Sequence, residues 1–82
     1  MGEFTYVYIL QSESEPEHFY TGCTDDLRAR LARHNSGRVR HTAKWKPWRI
    51  KTHIAFFDSK RAAEFERYLK SASRRAFLKK HP

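Results

Sequence analysis

The sequence predicts an α/β domain of the α+β kind: a small three-stranded, mainly antiparallel sheet flanked by helices, in the order β-β-α-β-α-α. Three observations predict it. Stretches rich in aromatic and β-branched residues, near 4–10, 18–23 and 48–56, have the composition of strands. Only a short polar loop containing Pro16 separates the first two, which makes them the arms of a hairpin. The second and third stretches are each followed by a segment with apolar residues at helical spacing, opened by an acidic or hydroxyl residue. The 82 residues have room for one domain, 1–82, near the lower size limit for a self-supporting core. Six Phe, four Tyr and two Trp supply much of that core in few side chains.

In the first strand, Tyr6, Tyr8 and Leu10 share one face and Thr5, Val7 and Ile9 the other, so both faces are expected to be covered. The second strand ends near Gly22, where glycine allows a close backbone approach. A helix from about Asp25 to Asn35 follows, with Thr24, Asp25 or Asp26 as cap and Asn35-Ser36-Gly37 as stop. Leu27 and Leu31 share its buried face, and Arg30 and His34, also four apart, lie beside that stripe rather than opposite it. Packing alone does not call for a guanidinium and an imidazole there. Residues 36–47 read as a basic loop. The third strand alternates, placing Trp48, Ile50, Ile54 and Phe56 on one face and Arg49, Lys51 and His53 on the other. Asp58 or Ser59 caps a second helix to about Ser71, and Ser73 caps a third from Arg74 to Lys80, packed through Ala76, Phe77 and Leu78.

The net charge of +8 is segregated. Residues 1–26 hold six acids and no Lys or Arg, while residues 27–57 hold nine Lys/Arg and no acid. A block of one sign this long attracts phosphate, and its expected partner is a nucleic acid, with Arg28, Arg33, Arg38, Arg40, Lys44 and Lys46 as contacts. Thr42, Trp45 and Trp48 are candidates for stacking on bases or sugars, although Trp48 opens an alternating strand and suits the core better. One cysteine, Cys23, excludes an internal disulfide and reads as a packing residue; no Cys/His cluster has zinc spacing. No run is long enough to span a membrane and no signal pattern opens the chain, so a cytoplasmic protein with no membrane partner is expected.

Glu66 stands out on the second helix. Ala62, Phe65, Leu69 and Ala72 form its apolar face, and Glu66 falls at the edge of that face. A carboxylate so close to a core is paired, protonated or bound to a cation. The pattern alone leaves open an ion pair with an arginine such as Arg30, a surface glutamate snorkelling to solvent, or a bound cation.

These residues coincide with a known pattern. Tyr6-Val7-Tyr8 and Tyr20-Thr21-Gly22 match two tripeptides, Asp26-Leu27-Arg28-Ala29-Arg30-Leu31 with His34-Asn35 a first-helix signature, and Glu66-Arg67-Tyr68-Leu69-Lys70 a later one. By this ordered set, spanning residues 6 to 70, the chain resembles the GIY-YIG nuclease superfamily, most closely its short stand-alone members. It departs from the pattern at Tyr6, where the family has glycine, and at Thr21, where it has isoleucine. The resemblance implies the same three-stranded fold, with Tyr8, Tyr20, Arg30 and His34 as catalytic residues and Glu66 as ligand to one Mg²⁺ or Mn²⁺ ion. It further implies metal-dependent hydrolysis of phosphodiester bonds in DNA, with structured or damaged DNA as the substrate class. Tyr8 is the first candidate to hold the attacking water, with Tyr20 and His34 orienting it. The alternative is a nucleic-acid-binding module that keeps the fold without turnover.

Overall fold

A computed structural model describes residues 3–80. Strands β1 (Thr5–Ser12), β2 (Phe19–Thr24) and β3 (Trp48–Phe56) form one antiparallel sheet in the order β2-β1-β3. The expected hairpin is present, with Tyr8 opposite Gly22 and Leu10 opposite Tyr20. β1 is therefore the central strand, and its Val7, Tyr8, Ile9 and Leu10 are all buried. β2 is an edge strand, and this decides where the site forms.

Each face of β1 carries its own core, as its alternation predicts. Val7 and Ile9 pack with Ala62 and Leu69, joined by Phe56 and Phe65. Tyr8 and Leu10 pack with Trp48, joined by Leu27, Leu31 and Ile50. The two cores correct the reading of β3. Its register against β1 slips by one residue, so that Leu10 faces Ile50 while Ile9 faces Thr52. A one-residue slip moves every later side chain to the other face. Trp48 and Ile50 stay with Leu10, whereas Ile54 and Phe56 cross to the Val7 side, and His53 comes round opposite Tyr8.

Helix α1 (Leu27–Asn35) begins at Asp26, whose carboxylate accepts the Ala29 N–H at 3.0 Å. It ends in Ser36 and then Gly37, whose φ of 84° favours glycine. Asn35 does more than stop the helix. Its side-chain N–H donates to the Trp48 carbonyl and its oxygen accepts the Trp48 N–H, tying the end of α1 to the start of β3.

The basic segment is not simply a loop: one helical turn, α2 (Arg40–Ala43), interrupts it, anchored where the Trp48 indole N–H donates to the Thr42 carbonyl at 2.9 Å. Helix α3 (Ser59–Tyr68) is capped by Asp58 and runs into a widened turn, Leu69–Ser73, kinked at Ser71, before α4 (Arg74–Lys80). The cap expected at Ser73 and the packing expected of Ala72 lie outside the described side chains. No helix among the described residues is long and apolar enough to cross a membrane.

Candidate active site

Tyr8 is central to the site although it is 99% buried, with 1% of its surface exposed. Its ring lies across β2 above Gly22. A Cβ on Gly22 would stand 2.5 Å from the Tyr8 hydroxyl and 2.7 Å from Cζ, so only glycine leaves room. The hydroxyl reaches His34 Nε2 at 3.2 Å, and His34 Nδ1 meets the Thr42 hydroxyl at 2.9 Å. The Tyr20 ring packs on His34 with centroids 4.8 Å apart and on His41 at 5.5 Å. Tyr20, Arg30, Arg33, His34 and Val39 line a cavity of about 260 Å³. A larger cleft of about 700 Å³ lies between α4 and the opposite face of the sheet, over Gln11, Phe19 and Leu78, and shares none of these residues.

Glu66 reaches the site by a different route. Its helix packs on the Val7 side of the sheet, while α1 packs on the Tyr8 side. The residues thus converge around the open edge of β2 rather than on one face. From one side, Arg30 Nη1 donates to the Cys23 carbonyl at 3.4 Å. From the other, the Glu66 carboxylate approaches the Cys23 thiol, and its field reaches the Tyr8 hydroxyl. The ion pair with Arg30 left open by the sequence is not made; Glu66 pairs instead with Lys70, one turn on, at 2.8 Å. That pairing holds the Lys70 ammonium charged above its ordinary range.

The electrostatics follow from burial. Desolvation pushes the Tyr8 phenol up to about 12, only partly opposed by its hydrogen bond to Arg30 and that cation's field. Desolvation, then the positive fields of Arg30, His41 and Arg33, lower His34 to about 4, so the ring is neutral at pH 7. The Cys23 thiol is pushed up to about 11 by burial and then by Glu66, which leaves it a packing residue and no nucleophile. His34 has a consequence for stability. Because its folded pKa lies below the unfolded value of about 6.5, the unfolded chain binds more protons between pH 6.5 and 4. Stability is therefore expected to be fully present above pH 6.5 and to fall by roughly 3 kcal/mol as pH drops through 4. Thermal unfolding against pH, compared with His34→Gln, checks this: the variant should lose the slope across that window.

Six of the cations assigned to nucleic acid, Arg28, Arg33, Arg38, Arg40, Lys44 and Lys46, are exposed along α1, α2 and their flanks. The proposed stacking residues fare differently. Thr42 and Trp48 are buried, and Trp45 is stacked on His18 at 3.6 Å with Lys44 over its ring. Reading the sequence alone missed His41 as a neighbour of Tyr20 and Thr42 as the partner of His34. Both sit in a stretch without periodicity, so no spacing signal pointed to them.

Glu66 brings a carboxylate to this edge, and no group of three His, Cys, Asp or Glu able to hold a metal occurs among the described residues. A single hard oxygen ligand suits Mg²⁺ or Mn²⁺, which keep several waters and complete their shell from phosphate. The donor set therefore fits a divalent ion held jointly with a phosphate.

A three-stranded sheet with helices on both faces, and a cavity lined by tyrosine, histidine and arginine, defines the class: a small α+β domain. The chain belongs to the GIY-YIG family: the model of the GIY-YIG catalytic domain matches residues 4–80. It is 40% identical over 80 residues to a UPF0213 protein of Lacticaseibacillus paracasei, covering 93% of this chain and 88% of the relative. A UPF0213 protein of Streptococcus pyogenes is 41% identical over 61 residues, covering 71% of this chain and 61% of the relative. The structure-specific endonuclease subunit SLX1 of Meyerozyma guilliermondii is 42% identical over 74 residues, covering 82% of this chain but only 25% of that longer protein. No solved structure matches the chain significantly.

Proposed function

We propose that this chain is an endonuclease that hydrolyses phosphodiester bonds in DNA with the help of one Mg²⁺ or Mn²⁺ ion. The observation that carries the reading is the buried Tyr8–His34 hydrogen bond beside Arg30, brought to the same sheet edge as Glu66. Membership in a catalytic-domain family supports it, as does similarity to a relative named a structure-specific endonuclease subunit; branched or flapped DNA is the substrate class to test first.

A phenol with a pKa near 12 is a poor base by itself. Tyr8 works by exchange: its oxygen takes a proton from the attacking water while its own proton passes to the Nε2 lone pair of His34. The water oxygen bonds to phosphorus, the phosphorus bond to the leaving oxygen breaks, and that oxygen takes a proton from solvent. Arg30 presents a planar fork to the phosphate oxygens as negative charge builds. Phosphate bound near Arg30 and Arg33 also cancels the fields that oppose protonation of His34. Glu66 holds the ion, which when bound supplies Lewis-acid polarisation of the phosphate.

The test is a cleavage assay on duplex, flap and branched DNAs with and without Mg²⁺ or Mn²⁺. Ion-dependent cleavage supports the reading, and none on any substrate defeats it. One observation favours the second reading, a module that binds without turnover: the Lys70 ammonium already occupies Glu66 at 2.8 Å. Both readings share an electrostatic footing. With six exposed cations along α1 and α2, affinity for DNA is expected to fall by about 10³-fold between 50 and 200 mM salt. Titration across that range checks it, and an affinity indifferent to salt would remove phosphate from the recognition. The double reversal Lys44→Glu, Lys46→Glu should weaken all sequences about equally, since phosphate contacts carry no base information.

A further inference from the structure

We propose that Thr42 is a positioning residue for the reaction: its hydroxyl accepts the Nδ1 proton of His34 and so keeps the Nε2 lone pair turned towards Tyr8. This rests on the reading of Tyr8 and His34 as a proton relay. Three hydrogen bonds in series argue for it. The Thr42 hydroxyl lies 3.2 Å from the Val39 carbonyl, which can only accept, so its hydrogen has a place there and a lone pair faces Nδ1 at 2.9 Å. Nδ1 then carries the imidazole hydrogen, and Nε2 accepts from the Tyr8 hydroxyl at 3.2 Å. In the opposite tautomer Nε2–H points at the Tyr8 oxygen, and the Tyr8 proton loses its acceptor on His34. The relay then has no vacancy for the proton that Tyr8 must release.

Thr42 suits this task because it is itself fixed. It is 1% exposed, and the Trp48 indole holds its carbonyl. Burial keeps water from substituting for the hydroxyl. The geometry also gives α2 a purpose: a single turn inside the basic segment carries the group that sets the protonation of a residue on α1.

The experiment compares the full chain with Thr42→Val, which keeps the branched shape and loses the hydroxyl, and with Thr42→Ser, which keeps the hydroxyl. The His34 tautomer is read by ¹⁵N NMR at pH 7 without DNA; single-turnover cleavage and DNA affinity are measured on the same preparations. The unaltered chain and Thr42→Ser should show the Nδ1–H tautomer, and Thr42→Val should lose it. Cleavage by Thr42→Val should fall by roughly 10²-fold, the scale of a lost proton acceptor, with affinity unchanged and Thr42→Ser close to the original rate. An Nε2–H tautomer in the unaltered chain, or an unaltered tautomer in Thr42→Val, overturns the proposal. Should Thr42→Val fail to fold, the tautomers of the unaltered chain and Thr42→Ser decide: Nδ1–H in both supports it, and Nε2–H in either overturns it. A chain that shows the tautomer switch yet cleaves no DNA refutes the nuclease reading and leaves the Thr42–His34 assignment standing, so the two failures are distinguishable.

Discussion

Glu66→Gln should cut cleavage by about 10³-fold or more while the protein stays folded, since a divalent ion supplies several kcal/mol of transition-state stabilisation and a neutral amide holds it poorly. The structure sharpens the stability side. Glu66 is paired with Lys70, whose side chain is 51% exposed, and not with a buried arginine. Such an i,i+4 pair is worth about 0.3–0.5 kcal/mol, so the melting temperature should move by a few degrees at most. DNA binding measured without metal should hold or tighten, because a negative charge near the phosphate path is gone. Cleavage and thermal unfolding are to be measured on one preparation. A large loss of stability with undiminished cleavage would reduce Glu66 to a structural residue.

The second large effect is expected at Gly22. Gly22→Ala places a methyl 2.5 Å from the Tyr8 hydroxyl and 2.7 Å from Cζ, inside any tolerable contact. The ring lies in a core flanked by Leu10 and Trp48, so it can yield only by leaving its rotamer or moving the strand. Overpacking of this kind costs about 1–3 kcal/mol. For a domain of this size that lowers the melting temperature by about 4–8 °C for each kcal/mol. The same shift pulls the hydroxyl from His34, so cleavage should fall well beyond what partial unfolding explains. Tyr8→Phe removes the hydroxyl without the clash and separates the two effects. It should lose cleavage with a smaller stability loss than Gly22→Ala. A Gly22→Ala protein with unaltered melting and cleavage would contradict the packing of Tyr8 across β2.

By itself the sequence determined the elements, and its family resemblance named the candidates for the site. The period-two and helical patterns, Pro16, Asp26, Asp58 and Gly37 act within a few residues of themselves, so strands, helices and caps were legible from local chemistry. The segregation of charge was legible for the same reason, whereas Tyr8, Tyr20, Arg30, His34 and Glu66 stood out as one set only through the family resemblance. Only the tertiary structure decided how these pieces meet. The slip beside Leu10 turned Ile54 and Phe56 to the opposite face, because register belongs to a pair of strands and not to either alone. The sheet order left β2 at an edge, and across that edge the field of Glu66 reaches the Tyr8 hydroxyl from a helix on the other face. Glu66 took Lys70 and not Arg30, since a partner four residues on, in the turn that continues α3, needs no further ordering of the chain. Thr42 became the partner of His34 because the Asn35 and Trp48 contacts fold the basic segment back over α1, and a hydroxyl eight residues away along an aperiodic stretch has no local signature of that return.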